Sequence, residues 1–283
     1  MKGYLIYIGG IFNEKSILSH KAISPASNRW NKELVSALIK QNYKVIIISH
    51  LPEQVWPKGY LNPGVINDLD LSFDNNLVEY LNIPLLRSYS LSKSYLKAFQ
   101  RIIKKEGKPS AVLSYNPERF SVSTGLYAQK YHNVPWVDIC ADHYDPGTDW
   151  SKYSPGAELA KGHIFLSYKA YKTCRFAIKL HLDGGIKNLG RTPDFNRNTS
   201  NDKILLYTGM LTKWGGIEFL LKSFKRIKDP KIKLWICGHG HSPYLKSELN
   251  KDSRIKFFGL VPEKKLIKSV SYTHLRAHET LLY

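Results

Sequence analysis

The sequence predicts an α/β protein of two doubly wound, parallel-sheet domains. Three observations carry that expectation. Short apolar runs alternate with helix-periodic segments along most of the chain. Several of these runs stop at glycine or a polar turn just before a helical pattern starts, as a buried parallel strand feeding a crossover helix does. A polar, aperiodic stretch from Asp183-Gly184-Gly185 to Ser200-Asn201 separates two such series. It sets the expected division: residues 1–185, residues 186–269, and a separate tail, 270–283.

Tyr4 to Ile8 reads as the first strand. A loop through Ser24-Pro25 precedes a helix, with Ser24 suited to its cap and Pro25 to its first turn. Trp30, Leu34, Leu38 and Ile39 give that helix one apolar face, and Asn42 closes it. Lys44 to Ser49 is a second buried strand. A βαβ start implies a right-handed crossover and a parallel sheet. Residues 50–75, rich in Pro, Gly and Asn, read as a long loop. Tyr89–Lys105 reads as helix, Ala111–Tyr115 as strand, Phe120–Tyr131 as helix and Pro135–Ile139 as strand. Ala157–Thr173 reads as a further helix and Phe176–Leu180 as a strand. The second series starts with a strand at Lys203. It continues with a helix over Trp214–Ile227, a strand over 231–237, a helix over 242–250 and a strand at Ile255–Phe258. A helix then begins at Glu263.

With 283 residues, the chain can form one large domain or two of moderate size. Hydrophobic residues make up 43%, ordinary for a globular protein. No apolar run approaches the roughly 20 residues needed to span a bilayer. The apolar part of Met1–Gly10 is too short for a secretory leader and reads as a strand. Cys140, Cys174 and Cys237 are separate thiols without metal-like spacing, which fits a reduced compartment. The formal net charge of +19 attracts nucleic acid, anionic lipid or acidic small molecules. No arginine-rich tract, zinc-finger spacing or RNP-like motif accompanies it. The lysines spread through helices, as Lys222, Lys225 and Lys228 do, and read as solvated faces or a membrane-contact surface.

Two strand-to-glycine units carry the chemistry. The first is Lys203 to Ile217, with Gly209, Gly215 and Gly216. The second is Lys231 to Gly240, with Gly238 and Gly240. Glycine permits close backbone approach to an anion, and a helix start supplies free N–H groups. Simple strand-to-helix turns need the same glycines, so both readings stand at this point.

In order, Tyr207-Thr-Gly-Met-Leu211, Lys213, Gly215-Gly216-Ile217 and Leu220-Leu221 resemble the opening of the donor-binding domain of family 4 glycosyltransferases. Leu234–Gly240 resembles that family's next strand and Gly-x-Gly loop, and Ile255–Pro262 the strand and turn after it. His181–Ile186 resembles its interdomain segment. The resemblance implies the GT-B fold, two Rossmann-like domains, and a glycosyltransferase of the hexosyltransferase type. Such an enzyme moves a sugar from a nucleotide-sugar donor to a glycan or lipid-linked acceptor in cell-surface polysaccharide synthesis. It also implies no cofactor, no metal and retention of anomeric configuration. Gly9, Gly10, Gly209, Lys213, Gly238 and Gly240 are then donor-binding residues. His143, after a buried strand, is then the active-site histidine. Asn28 and Arg29 are acceptor-side. Each has an ordinary alternative: turn glycines, first-turn helix residues, or, for His143 with Asp142 and Asp145, metal ligands.

The sequence departs from the family at two places. Met210 stands where a basic residue often follows the loop glycine. The family's pair of glutamates beyond the third strand has no counterpart after Pro262. Val270–Thr280 translates in one frame from a string that resembles a sequencing-library adapter. The expectation is therefore a non-native tail with little packed contact, an incomplete second domain and an inactive fragment. The expected setting is cytoplasmic, peripheral on the inner face of the plasma membrane. Expected partners are the nucleotide-sugar, the acceptor and an anionic membrane surface, with no nucleic acid. The rival readings are a nucleotide-sugar epimerase of the same architecture and a basic nucleic-acid or membrane-binding module.

Overall fold

The computed structural model describes residues 3–20, 22–64, 69–142, 155–183, 202–213, 215–262, 265–266 and 275–276. The chain divides into two compact units, Met1–Lys187 and Asn188–Tyr283. In the first, the strands are β1 (Tyr4–Ile8), β2 (Lys44–Ser49), β3 (Asp74–Leu77), β4 (Ala111–Tyr115), β5 (Trp136–Cys140), β6 (Gly162–Phe165) and β7 (Lys179–His181). The helices are α1 (Glu14–Ser19), α2 (Pro25–Lys40), α3 (Arg87–Glu106), α4 (Arg119–His132) and α5 (Tyr168–Thr173). Among the described residues the strands form one parallel sheet, in the order β3-β2-β1-β4-β5-β6-β7.

Alternation along each strand sends side chains to opposite faces, and both faces are covered. Ile6, Ile8, Ile46 and Ile48 pack with Leu91, Tyr95 and Phe99 of α3 and Val122 and Ala128 of α4. Tyr7, Val45 and Ile47 pack on the other face with Val35 of α2, and Trp30, Leu34 and Leu38 join them. The apolar face read in the sequence of α2 is thus the one it buries. Ser24 caps α2 by accepting from the Ser27 N–H, and Asn42 ends it at φ 67°. Inside α4 stands Gly125. A Cβ there would lie 2.2 Å from the fully buried Trp136 ring, so glycine lets helix and strand meet.

Three readings change. Residues 50–75 are not all loop, because Asp74–Leu77 pairs with β2 as a polar edge strand. Its Asn75 accepts from the Ser49 hydroxyl and donates to the Ile11 carbonyl. The helix expected over 157–173 is instead a 3₁₀ turn (Ala157–Leu159), strand β6 and the short α5. Gly162 and the apolar run after it suit a central parallel strand better than a helix interior. Helix α1 was missed, although Asn13 caps it by accepting from the Ser16 N–H at 2.9 Å.

The second unit holds β8 (Lys203–Thr208), α6 (Ile217–Phe224), β9 (Ile232–Cys237), α7 (Pro243–Leu249), β10 (Ile255–Phe257) and β11 (Leu275–Arg276). The parallel order is β10-β9-β8-β11. Ile217, Leu221 and Phe224 of α6 bury against Leu234, Ile236, Leu245 and Ile255. Strand β11 falls within the tail read as foreign, and Leu275 and Arg276 pair with Leu205 and Leu206. The expected lack of packed contact is therefore corrected at these two residues. The side of β8 away from β9 offers a row of N–H and C=O groups that backbone of almost any sequence can pair with, and β11 takes it.

Candidate functional site

In a doubly wound sheet the connections reverse direction between two neighbouring strands, and a crevice opens beyond their carboxyl ends. In the first unit those strands are β1 and β4. The crevice is a cavity of about 590 Å³. Ile8, Gly9 and Gly10 line it from the end of β1, His50 from the end of β2, and Tyr115 and Asn116 from the end of β4. Ser24, Ser27 and Asn28 come from the start of α2, Arg87 and Tyr95 from α3, and Glu118 and Phe120 from the entry to α4.

His50 Nδ1 lies 2.8 Å from the Tyr95 hydroxyl. Its ring stands edge-on to Tyr80, Tyr95 and Phe120, with centroids 5.4, 5.8 and 5.0 Å away. Burial, and secondarily the Arg87 charge, push its pKa down to about 3, so the imidazole is neutral. Arg87 donates to the Glu53 carbonyl at 2.9 Å and lies over the Tyr80 ring. Burial raises the Glu118 pKa; Arg87 opposes that rise and Asp142 adds to it. Asn116, at φ 62°, accepts from the Ala141 N–H and donates to Asp142 Oδ2 at 2.8 Å. It ties the end of β4 to the end of β5. A neutral imidazole, a fixed guanidinium, phenols and a carboxyl in one recess suit a polar, hydroxyl-rich or anionic ligand.

Gly9 and Gly10 are in the wall of this cavity. The Gly9 N–H donates to the Ile48 carbonyl at 3.2 Å, and the Gly10 carbonyl accepts from Asn31 at 3.1 Å. Asn28 also lines the cavity, but its amide is spent on Phe12. It accepts from the Phe12 N–H at 2.7 Å and donates to the Phe12 carbonyl at 3.2 Å. Asn28 thus holds the loop after β1 in place while lining the cavity. Arg29 is exposed and is not among the residues that line the cavity. His143 and Asp145 lie outside the described residues. Sequence reasoning missed His50, Arg87, Tyr95 and Glu118. One signal was present: His50 directly follows the buried strand β2.

In the second unit the strand-end glycines hold one another. The Gly209 N–H donates to the Cys237 carbonyl at 3.1 Å, and the Gly238 N–H to the Gly259 carbonyl at 2.8 Å. These two amides are thus paired with carbonyls at the ends of the neighbouring strands. Gly238 sits at φ 149°, and a Cβ there would fall 1.8 Å from the Gly209 carbonyl oxygen, so a side chain has no room. Gly240 differs: among the described residues nothing accepts from its N–H. The Tyr207 hydroxyl lies 2.8 Å from both the Met210 and Gly215 carbonyls and closes the loop that carries Lys213. Lys213 itself is exposed.

Comparison with known proteins bears on these loops directly. The family described as "Glycosyl transferases group 1" matches residues 191–279. A search of curated protein sequences finds no significant match. Among solved structures, sucrose-phosphate synthase from Thermosynechococcus elongatus is similar over 97% of this chain and 75% of its own, at TM-score 0.66 and 13% identity. The catalytic domain of starch synthase IV from Arabidopsis thaliana, bound to ADP and acarbose, is similar over 98% and 78%, at 0.63 and 10%. A UDP-N-acetylglucosamine 2-epimerase is similar over 98% and 74%, at 0.56 and 14%. At such identities the likeness concerns the fold, which is GT-B, with a larger and a smaller parallel sheet. The family match thus falls on the smaller sheet and takes in its glycine loops.

Proposed function

We propose that the protein is a glycosyltransferase that takes a sugar from a nucleotide-sugar donor and gives it to a glycan or lipid-linked acceptor in cell-surface polysaccharide synthesis. The observation that carries this reading is the family match on the unit built from the Gly209, Gly238 and Gly240 loops. A starch synthase domain of the same fold was solved with ADP, which favours a nucleoside diphosphate as the donor's leaving group. In this reading the second unit holds the donor, with the Gly240 amide and Lys213 meeting the diphosphate. Catalysis is electrostatic stabilisation and positioning, without cofactor or metal chemistry at the reacting sugar. His50 and Arg87 join the roles assigned to Gly9, Gly10 and His143 in the first unit. Neutral His50 orients an acceptor hydroxyl, and Arg87 supplies a fixed positive charge.

A membrane-borne acceptor fits the surface around the first-unit cavity. Val55 and Leu85 line it and are exposed, and Leu86 and Tyr89 are exposed beside them. Exposed Lys93, Lys97, Arg101 and Lys104 run along α3. No helix among the described residues is long and apolar enough to cross a membrane. The reading places the protein peripherally on an anionic cytoplasmic membrane face, with no nucleic-acid partner.

The test is titration of the 283-residue chain with UDP-, ADP- and GDP-sugars by calorimetry, followed by product analysis with and without lipid-linked acceptors. Saturable binding of one nucleotide-sugar supports the reading, and absence of binding to any of them overturns it. The shared fold with a 2-epimerase keeps one rival open. Isomerisation of a free UDP-sugar without acceptor would establish that rival.

A further inference from the structure

A second cluster of reactive side chains, apart from the cavity, lies in the first sheet. Asp138 and Cys140 are two apart on β5 and share one face of it. His163 stands beside Asp138 in the parallel register of β6. All three are buried, and one donor atom from each lies within 4.8 Å of the others. Cys140 Sγ is 3.3 Å from Asp138 Oδ2. A tetrahedral zinc with Zn–S near 2.3 Å and Zn–O near 2.0 Å sets its sulfur and oxygen ligands about 3.5 Å apart. The pair thus already has close to the spacing a zinc ion needs.

The surroundings fix these ligands. The Ser114 hydroxyl donates to Asp138 Oδ1 at 2.6 Å and itself accepts from Trp136 Nε1 at 2.8 Å. That chain holds one carboxylate oxygen and leaves Oδ2 on the thiol side, the kind of outer support that metal ligands receive. The His163 ring stacks on Phe176, with centroids 3.8 Å apart and an interplanar angle of 19°. Its Nε2 is buried and has no hydrogen-bond partner among the described residues. A buried polar atom of this kind is costly unless something pairs with it, and a cation would.

We propose that Asp138, Cys140 and His163 bind one Zn²⁺ that clips β5 to β6. The thiolate, imidazole and carboxylate set is a zinc set; the hard cations Mg²⁺ and Ca²⁺ do not choose thiolate. On binding, the Cys140 S–H bond breaks, the proton goes to solvent and an S–Zn bond forms, with no change of oxidation state. Water completes the coordination. Because the site is buried in the sheet, its role is to hold the strands together and not to meet substrate.

The test uses the full chain, kept reduced, equilibrated with excess zinc and then dialysed exhaustively. Metal analysis should find about one zinc per chain, and zinc should raise the melting temperature. Less than half a zinc per chain overturns the proposal. Cobalt substitution should give a thiolate-to-metal charge-transfer band. Changes beside a metal site typically cost 10–100-fold in affinity, so loss of a ligand in Cys140→Ser or His163→Gln should cost at least about that much. Cys237→Ala, in the other unit, should bind zinc as the wild type does. Unchanged zinc affinity in Cys140→Ser overturns the proposal. Should these variants fail to fold, x-ray absorption at the zinc edge of the wild-type protein decides instead. One sulfur among nitrogen and oxygen scatterers supports the site, and a shell without sulfur refutes it.

Discussion

At Gly238 a single methyl group would run into the backbone of Gly209. The residue combines φ 149° with a Cβ position 1.8 Å from the Gly209 carbonyl oxygen. An alanine there must move the Gly209 loop or leave its backbone region, at a cost of about 1–3 kcal/mol. Gly238→Ala is expected to lower the denaturation midpoint by that amount and to weaken nucleotide binding with it. Lys213→Ala is expected to change stability by less than about 0.5 kcal/mol, because the side chain is exposed. An unchanged midpoint in Gly238→Ala would show that the loops are not in contact. His50 gives a prediction in pH. Its folded pKa is held at about 3, below the ordinary 6.5. Between those values the unfolded chain takes up a proton that the folded one refuses. The contribution of neutral His50 is therefore complete above pH 6.5 and is lost as pH falls toward 3. Urea titrations at pH 7 and pH 5 should show a loss of stability that is smaller in His50→Gln. Equal losses in the two proteins would remove the buried imidazole as the cause.

At the scale of elements, legibility followed the strength of local chemistry. Helix α2 was readable because Ser24, Pro25 and the apolar face at Trp30, Leu34 and Leu38 all agree. Strands β1 and β2 were readable as continuous apolar runs buried on both faces, and β4 and β8 as short, mostly apolar runs. Strand β3 was not, because Asp74-Asn75-Asn76 carries no strand signal, and pairing with β2 decides its conformation. Strand β6 was read as helix because a short apolar run does not distinguish the two. The cavity was partly legible: Gly9, Gly10 and Asn28 line it, whereas His50, Arg87 and Glu118 come together only through the sheet order. The Asp138, Cys140 and His163 cluster was illegible as spacing, since its members meet across strands. Gly125 of α4 supplies a test in which two effects oppose. Alanine is the better helix former by about 1 kcal/mol. Its Cβ, however, would lie 2.2 Å from a Trp136 ring with no room to move. Overpacking costs about 1–3 kcal/mol. Gly125→Ala is expected to destabilise on balance, read as a lower melting temperature. A rise would mean that Trp136 repacks freely.

At the scale of the whole molecule, two properties bear on what the 283-residue chain can do. The first is that Glu263 and Glu279, the glutamates after Pro262, do not have the eight-residue spacing of the resembled family's pair. If the resembled family's pair is needed to hold the donor sugar, this chain should transfer little sugar even where it binds the nucleotide. Robust turnover would show that other residues do that work. The second is the net charge of +19. A charge spread evenly gives solubility, while one gathered on a face gives a docking surface. On α3, exposed Lys93, Lys97, Arg101 and Lys104 share one long helix, and Lys97, Arg101 and Lys104 border a groove with Leu77, Val78 and Glu79. Each basic residue near an anionic leaflet contributes about 1 kcal/mol. Neutralising Lys97, Arg101 and Lys104 together should then cost about 3 kcal/mol, or roughly a hundredfold in partitioning to phosphatidylserine vesicles. Vesicle sedimentation measures this directly. At low salt the wild-type protein should bind anionic but not neutral vesicles. Binding should fall steeply as ionic strength shortens the Debye length below about 10 Å. Binding that survives both high salt and the triple substitution would assign attachment to exposed Leu85, Leu86 and Tyr89 instead. Their insertion depends on apolar area and is indifferent to screening.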